Sequence, residues 1–156
     1  MKFLKHFWGR LVEKLLDRKI EEILQRKLLY QHLVFGGPER LKIAPSAVVN
    51  NALFNTVSGS ITVEEDVFFG HSVSILTGSH DADAIREQRR SWPTTGRDII
   101  IKRGAWIASN STILGPCIVG EDAVVAACSL VKGDVPARTI VAGIPAKTVR
   151  EIRKAA

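Results

Sequence analysis

Cysteine, methionine and tyrosine are scarce in this sequence of 156 residues, and long apolar runs are missing. The two cysteines, Cys117 and Cys128, have neither the number for a disulfide framework nor the spacing of a zinc motif. They are predicted to be reduced packing thiols of a cytosolic protein. No stretch approaches 18 apolar residues, so a transmembrane helix is not expected. Basic residues interrupt the apolar N-terminus, which argues against a cleaved signal peptide.

An excess of one charge is confined to the N-terminal segment. Residues 1–42 contain ten Lys or Arg against five Asp or Glu, while the remaining residues contain twelve against eleven. The net charge of +6 therefore belongs largely to that segment. A basic groove along the body of the protein is not indicated, so no nucleic-acid partner is predicted.

A strict period of six residues runs from Ile101 to Val135. β-Branched residues recur at every sixth position, namely Ile101, Ile107, Ile113, Val119, Val125 and Val131. Four residues after each stands a small or medium-sized one: Ala105, Ser111, Cys117, Ala123, Ser129 and Val135. A β-sandwich of short strands would not keep both rows in register, whereas a hexapeptide β-solenoid does. Three hexapeptides close one triangular coil, so residues 18 apart are predicted to stack, with the branched row inside.

The repeats extend beyond this stretch with two interruptions. They begin near Ile43, slip by two residues around Asn55-Thr56, and resume at Val57, Val63, Phe69 and Ile75. Residues 79–98 are polar, charged and without the pattern, which predicts an inserted loop with a function. Two prolines and a glycine between 136 and 147 predict an extended cap over the last coil. A short terminal helix is predicted over 148–154.

The N-terminal segment is predicted to be a basic, amphipathic helix from residue 3 to about 33. Its apolar positions recur at helical spacing: Leu4, Phe7, Trp8, Leu11, Val12, Leu15, Leu16, Ile20, Ile23, Leu24 and Leu28. Three roles remain open for this helix, or bent helix pair. It packs on the side or end of the solenoid, lies on an anionic membrane surface, or packs between subunits.

The solenoid sequence resembles a known enzyme family. The resemblance is carried by residues 61–81, by Ala105 to Asn110, by Asp134-Val135-Pro136 and by Ala142 to Lys147. These stretches are similar to the hexapeptide-repeat acyltransferases, especially maltose and galactoside O-acetyltransferases and polysaccharide-modifying relatives. The resemblance implies a left-handed parallel β-helix over residues 43–156, preceded by the helical segment 1–42. The N-terminal segment does not match that of the maltose enzymes, so the nature of the sugar stays open.

Individual residues carry over from this resemblance. His80 matches the catalytic histidine of the family, Asn50 an active-site asparagine, and Trp106 a tryptophan that lines the acyl-transfer site. The resemblance also implies a coenzyme A groove between subunits of a homotrimer. Its candidate contacts are Ser109, Ala126 and Ala127, with Lys147 and Arg150 for the phosphates. Apart from the resemblance, Arg86 and Trp92 of the loop are the candidates for binding the acceptor. The loop arginines suit an anionic acceptor, coenzyme phosphates or acidic groups of the protein equally well.

Acyl transfer from a thioester to a hydroxyl requires a base with a pKa near neutrality, and histidine is the natural choice. The thioester already has a good leaving group, so direct transfer in a ternary complex suffices. The group that orients His80 is open between Asp81, a backbone carbonyl and another loop residue. His71 and His80 do not reproduce the three-histidine metal site of γ-class carbonic anhydrases, which share this solenoid, so no metal is predicted.

The predicted function is therefore acetyl-coenzyme A dependent O-acetylation of a sugar hydroxyl, on a glycan, glycolipid or nucleotide-sugar precursor, with His80 as general base. The predicted location is the cytoplasm, and peripheral contact at the inner face of the membrane through residues 1–33 is one of the open roles of the helix. The alternative is a non-catalytic solenoid scaffold whose N-terminal helix docks a partner or a membrane.

Overall fold

The structure, a computed structural model, describes residues 2–153, with the side chains of residue 12 and residues 14–153. It contains one long helix followed by short strands of two to six residues. In chain order these are α1 Lys2–Tyr30, β1 Leu33–Phe35, β2 Leu41–Ile43, β3 Leu53–Asn55, β4 Ile61–Val63, β5 Phe68–Phe69, β6 Ser74–Leu76, β7 Ile99–Ile101, β8 Trp106–Ile107, β9 Thr112–Leu114, β10 Cys117–Val119, β11 Val124–Val125, β12 Leu130–Lys132, β13 Thr139–Gly143 and β14 Ala146–Glu151. Short 3-10 helices occupy Pro38–Arg40 and Arg86–Arg90.

The strands form the three faces of a triangular prism of about five turns. Face A contains β1, β3, β6, β9 and β12; face B contains β2, β4, β7 and β10; face C contains β5, β8, β11, β13 and β14. All pairs are parallel except β13 with β14. Successive turns of the chain visit the faces in the order B, C, A. The first turn contributes only an isolated bridge at Val48 to face C, and the last only one at Val135 to face B.

The predicted stacking of residues 18 apart is confirmed. Ile101 pairs with Val119, Ile107 with Val125 and Ile113 with Val131. All six are buried, and so are the six small or medium-sized residues four positions after them. Both rows of the hexapeptide pattern thus point into one continuous apolar core, whose burial is the main stabilising term for a repeat of this kind.

The predicted phase slip is also confirmed, with one change in the core. Ile43 pairs with Val63, a separation of 20 residues rather than 18. Phe54, central in β3, fills the interior and is fully buried, whereas Val57 is only half-buried. The prediction that Val57 resumes the inward row is therefore wrong. A larger Phe54 side chain occupies that level because the preceding corner is one residue shorter.

Both ends of the solenoid differ from the sequence-based prediction. The first strand, β1, pairs with β3, so the solenoid begins at Leu33 rather than near Ile43. No helix forms over 148–153; instead β14 folds back antiparallel on β13. The hairpin covers the exposed edge of face C, which is what a terminal cap must do. Residue 154, the last of the predicted terminal helix, lies outside the described residues.

Helix α1 is continuous and does not pack on the solenoid through its described side chains. Residue 12 and residues 14–30 are all exposed. The Tyr30 ring lies 6.3 Å from the His71 ring, so contact occurs at the last helical residue. The bent pair is therefore not found, and the exposed side chains of residues 14–29 do not pack on the same chain. The apolar positions predicted before residue 12 lie outside the described side chains. Within the part of the chain that the structure describes, α1 lacks an apolar stretch long enough to cross a membrane.

Two of the three corners are built from residues with left-handed backbone conformation. At the corner between faces C and A these are Asn50, Ser72, Asn110 and Cys128; between B and C they are Asp66, Gly104, Asp122 and Arg138. Most are small or polar types that tolerate a positive φ better than branched residues. The remaining corner, between faces A and B, carries the inserted loop.

Candidate active site

The predicted site residues lie on two opposite edges of face A. His80, Arg86 and Trp92 follow β6 in the loop at the A/B corner, which we call the loop group. Asn50, Ser109, Ala126 and Ala127 lie at the C/A corner, with Trp106 and Lys147 at the adjoining end of face C; these form the corner group. About five residues of extended chain separate the two corners, or roughly 15 Å. A single chain therefore does not bring the two groups together.

His80 has a defined hydrogen bond on one ring nitrogen. Its Nδ1 lies 3.2 Å from the carbonyl oxygen of Ser91. A carbonyl only accepts, so in this bond Nδ1 carries the proton and Nε2 keeps its lone pair. The ring of Trp92 packs edge-on at 5.7 Å, and His80 itself is exposed. Of the orienting partners left open by the sequence, the backbone carbonyl is the one found. The Asp81 carboxylate instead accepts a bond from the Asp83 N–H.

The inserted loop contains no strand between residues 77 and 98, as predicted, and has a 3-10 turn at its tip. Two of its arginines hold the loop itself. Arg89 Nε donates to the Ala84 carbonyl at 2.7 Å, and Arg97 Nε donates to the Thr77 carbonyl at 2.7 Å. Arg86, with a positive φ, is exposed at the start of the turn. The loop thus presents a basic and aromatic surface beside His80.

Asn50 has a corner role in this chain. Its φ is +45°, and its side-chain Nδ2 donates to the Phe69 carbonyl of the next coil at 2.8 Å. It caps the C/A corner, and the structure does not bring it to His80 of the same chain. Its predicted place in the active site stays a prediction.

A second amide, Asn55, lies nearer to the His80 loop within the same chain. It ends β3 opposite Leu76 and so lies at the root of the loop that carries His80. Both side-chain amide atoms lie 2.8 Å from the point that a Cβ on Gly78 would occupy, so the amide contacts the Gly78 backbone. Its oxygen accepts a bond from the Val57 N–H. Strand register is the signal that identifies this position.

The corner group offers backbone and small side chains rather than charge. Ser109 Oγ accepts from the His71 N–H at 3.1 Å, and the Cys128 N–H donates to the Ser109 carbonyl. Lys147 pairs with Ala142 at the end of face C beside this corner. Arg150 pairs with Ile140 at the other end of the same strand, where it lines a cleft of about 500 Å³ with Glu151 and Arg153. Lys147 and Arg150 thus lie three residues apart on β14, and their binding of phosphates stays a prediction.

Trp106 lies on the outer side of face C. It stacks on Phe68 of the preceding coil with ring centroids 5.6 Å apart and remains 42% exposed. Three residues further along, Ser109 begins the C/A corner. An exposed aromatic surface thus adjoins the corner group, and its chemistry suits an organic ligand or another subunit.

Among the residues whose side chains the structure describes, no group of three His, Cys, Asp or Glu could hold a metal ion. The thiols differ in environment. Cys117 is buried, and burial raises the pKa of its thiol to about 12, whereas Cys128 is exposed. At the B/C corner a bond from Lys102 lowers the pKa of the Glu64 carboxyl. Cys117 lies at the A/B corner, where its N–H donates to the Asp98 carbonyl, and Cys128 lies at the C/A corner.

Comparison with known proteins agrees with the fold. Residues 98–133 match the bacterial transferase hexapeptide family of six repeats. The solved hexapeptide-repeat acetyltransferase VCA0836 from Vibrio cholerae is 27% identical, with a TM-score of 0.55 over 86% of this chain and 81% of that one. A second structure of that protein, complexed with acetyl-coenzyme A, is 28% identical, with a TM-score of 0.55 over 87% of this chain and 79% of that chain. The chain is thus similar, over most of its length, to solved hexapeptide-repeat acetyltransferases, and it contains the repeat of the bacterial transferase hexapeptide family.

Curated relatives are larger than this chain. Serine acetyltransferase 2 of Arabidopsis thaliana is 34% identical over 117 residues, which are 75% of this chain and 33% of the relative. WbbJ of Escherichia coli strain K12, named for O-acetyl transfer in lipopolysaccharide biosynthesis, is 29% identical over 100 residues, covering 59% of this chain and 50% of the relative. The chain thus spans a third to a half of the length of these two relatives.

Proposed function

We propose that this protein is an acetyl-coenzyme A dependent O-acetyltransferase that acts on a hydroxyl of a sugar, in a glycan, glycolipid or nucleotide-sugar precursor. The observation that carries the proposal is the hydrogen bond of the His80 ring. Its Nδ1–H donates to the Ser91 carbonyl, so Nε2 is available as a base on an exposed loop. The acetyl-coenzyme A complex of the Vibrio relative and the name of WbbJ support the donor and the acceptor class.

The proposed chemistry is a direct transfer. Nε2 of His80 takes the proton of the acceptor hydroxyl as its oxygen attacks the thioester carbonyl carbon. The tetrahedral intermediate collapses, the carbon–sulfur bond breaks, and the leaving thiolate takes the proton back from the imidazolium. The products are an O-acetyl ester and coenzyme A. Backbone N–H groups at a corner, the Asn50 amide of a neighbouring copy or the Asn55 amide of the same chain would stabilise the developing oxyanion, a role worth several kcal/mol in enzymes of this kind.

We further propose that the site is completed between two copies of the chain in a homotrimer. The loop group supplies the base, while the corner group of the neighbouring copy holds the coenzyme through Ser109, Ala126 and Ala127. Lys147 and Arg150 are the candidates for its phosphates. The separation of these groups within one chain by about 15 Å supports this arrangement. Exposed apolar and aromatic side chains on face C, including Val48, Phe68 and Trp106, are suited to contact between copies.

For helix α1 we propose peripheral contact with an anionic membrane surface. Its apolar side chains from Val12 to Leu29 are exposed and have no cover on the solenoid. Residues 1–42 carry a net charge of +5 against +1 for the remainder, by the residue counts given above. Apolar area together with basic charge is the combination that binds amphipathic helices to anionic lipid.

An acceptor panel with paired variants tests the enzymatic proposal. Thiol release from acetyl-coenzyme A is measured with maltose, a UDP-sugar, a lipopolysaccharide core oligosaccharide and serine, the last because of the serine acetyltransferase relatives. His80→Ala is expected to lower turnover about 10²- to 10⁴-fold with little change in coenzyme affinity. Asp81→Asn is the matched control and should be near normal. Turnover with serine alone would mean that the acceptor is serine rather than a sugar. No turnover with any acceptor would favour the alternative function, a non-catalytic solenoid scaffold.

A further inference from the structure

The loop that carries His80 is held to the solenoid by a residue from outside the loop. Arg40 ends the 3-10 helix between β1 and β2 and is half-buried. Its Nη1 lies 3.0 Å from the Thr94 carbonyl of the loop. The same nitrogen lies 3.4 Å from each of the carbonyls of Thr56 and Val57, at the A/B corner beneath the loop. One guanidinium therefore ties the first coil, the second coil and the loop together.

The loop segment that Arg40 holds is the one that contacts His80. Ser91, three residues before Thr94, provides the carbonyl that accepts the His80 Nδ1 proton. Trp92, two residues before Thr94, packs its ring against the imidazole. Pro93 lies between Trp92 and Thr94, and its ring fixes one backbone torsion, which stiffens the segment. A displacement of Thr94 would therefore move both contacts of His80.

Other contacts hold the base of the loop rather than this segment. Arg97 bonds to Thr77 across the loop root, and the Ser60 N–H donates to the Asp98 carboxylate at 2.6 Å. Around residues 91–94, side chains are exposed, and the bond from Arg40 is the tie to the solenoid that the described residues provide. Loss of Arg40 should thus loosen residues 91–94 without opening the root.

We propose that Arg40 is a positioning residue, which acts through Thr94 and Ser91 to keep His80 in the tautomer with Nε2 unprotonated. This inference rests on the proposed role of His80 as the general base. The base must be held within a fraction of an ångström of its productive position, and misplacement costs up to about 100-fold in rate. The contacts of Arg40 are with backbone carbonyls of the chain, so its effect should pass through His80.

The first test is spectroscopic and needs no acceptor. Long-range ¹H–¹⁵N correlation spectra at neutral pH report which ring nitrogen of His80 carries the proton, with His80→Ala used to assign the signal. Wild type should show the Nδ1-protonated form, and Arg40→Ala a mixture of both forms. Lys42→Ala, which removes an exposed cation two residues away, should match wild type. A wild-type tautomer in Arg40→Ala would overturn the proposal.

The second test is a double-mutant cycle on turnover with the best acceptor of the panel. Arg40→Ala should lower kcat about 10- to 100-fold with KM for acetyl-coenzyme A within about twofold. In the His80→Ala background the same change should have no further effect, because its route of action is gone. Equal losses in both backgrounds would refute action through His80. Arg40→Lys, which keeps a charged donor, should recover part of the loss.

The outcomes separate this inference from the function on which it rests. Full activity of His80→Ala would refute the proposed base, while the ring signal would still show whether Arg40 holds the loop. If Arg40→Ala does not fold, Arg40→Gln replaces it, because its shorter neutral side chain cannot span to Thr94. A mixed tautomer in Arg40→Gln supports the proposal, and an unchanged one refutes it.

Discussion

Complementation between two inactive variants provides a quantitative test of a site shared by neighbouring subunits. His80→Ala removes the base of the loop group. Ala127→Glu places a bulky carboxylate at the exposed C/A corner, where it would block the coenzyme and repel its phosphates. Each variant alone should form an intact trimer with turnover reduced at least about 100-fold. The two lesions lie on opposite edges of face A.

The expected recovery follows from cyclic symmetry. Suppose each site joins the loop of one subunit to the corner of the next. A trimer with both variants, in either ratio, has one junction at which an intact loop meets an intact corner. About one third of the sites are then restored. Isolation by two different affinity tags removes the homotrimers, so turnover per trimer should be about one third of the wild-type value.

The controls decide between a shared site and one contained in each chain. Mixed trimers of wild type and His80→Ala give the turnover expected when some subunits have an intact loop and all have an intact corner. His80→Ala carrying both tags sets the background. If mixed trimers of the two variants remain at background although both homotrimers assemble, the shared-site reasoning is refuted. Light scattering that gives a stable monomer near the chain mass of 17.1 kDa would refute it earlier.

Three further predictions concern the core, the thiols and the N-terminal helix. Ile107→Ala removes a fully buried side chain stacked between Phe69 and Val125. Chemical denaturation should show that the free energy of unfolding falls by about 2–5 kcal/mol, against less than about 0.5 kcal/mol for the exposed control Ile144→Ala. Equal losses would contradict the assignment of Ile107 to the core. One thiol per chain should react with an aromatic disulfide reagent at pH 8, and Cys128→Ser should abolish the reaction. Burial and a pKa of about 12 keep the Cys117 thiol protonated and unreactive. Rapid reaction of two thiols per chain would contradict this prediction. The protein should sediment with vesicles containing phosphatidylserine, come off in high salt, and ignore neutral vesicles; recovery in the supernatant throughout would mean that protein covers the helix.

The repeat region was determined by local sequence. A branched residue at every sixth position, with a small residue four places later, admits one structure in which both rows are buried. Ile107 and Ala105 illustrate the two rows, and both are fully buried. Because each coil contacts only its neighbours, the pattern fixes the stacking without long-range information. The bounds of the inserted loop follow from the same pattern. A segment without inward-facing residues at every sixth position cannot form a coil of the solenoid, so it projects as a loop.

The ends of the solenoid needed tertiary context. β1 has the sequence Leu-Val-Phe and no second repeat before it, so nothing periodic marks it as a strand. β14 reads as a helix or a strand by composition, and the free edge of β13 decides in favour of pairing. Phe54 likewise takes the place of Val57 in the core because the corner before it is shorter. That shortening shifts the phase of the six-residue repeat, and the sequence alone does not reveal by how much.

The candidate site was predicted in its parts, and its arrangement was decided by the tertiary structure. His80 was identified from the sequence, whereas its bond to Ser91 depends on a loop that folds back over 11 residues. Asn50 and Asn55 are both polar residues near strand ends, and only the offset of 21 between β3 and β6 separates their positions. Arg40 carried no sequence signal at all. Its role arises because the solenoid brings Thr94, 54 residues away, within hydrogen-bonding distance of its guanidinium.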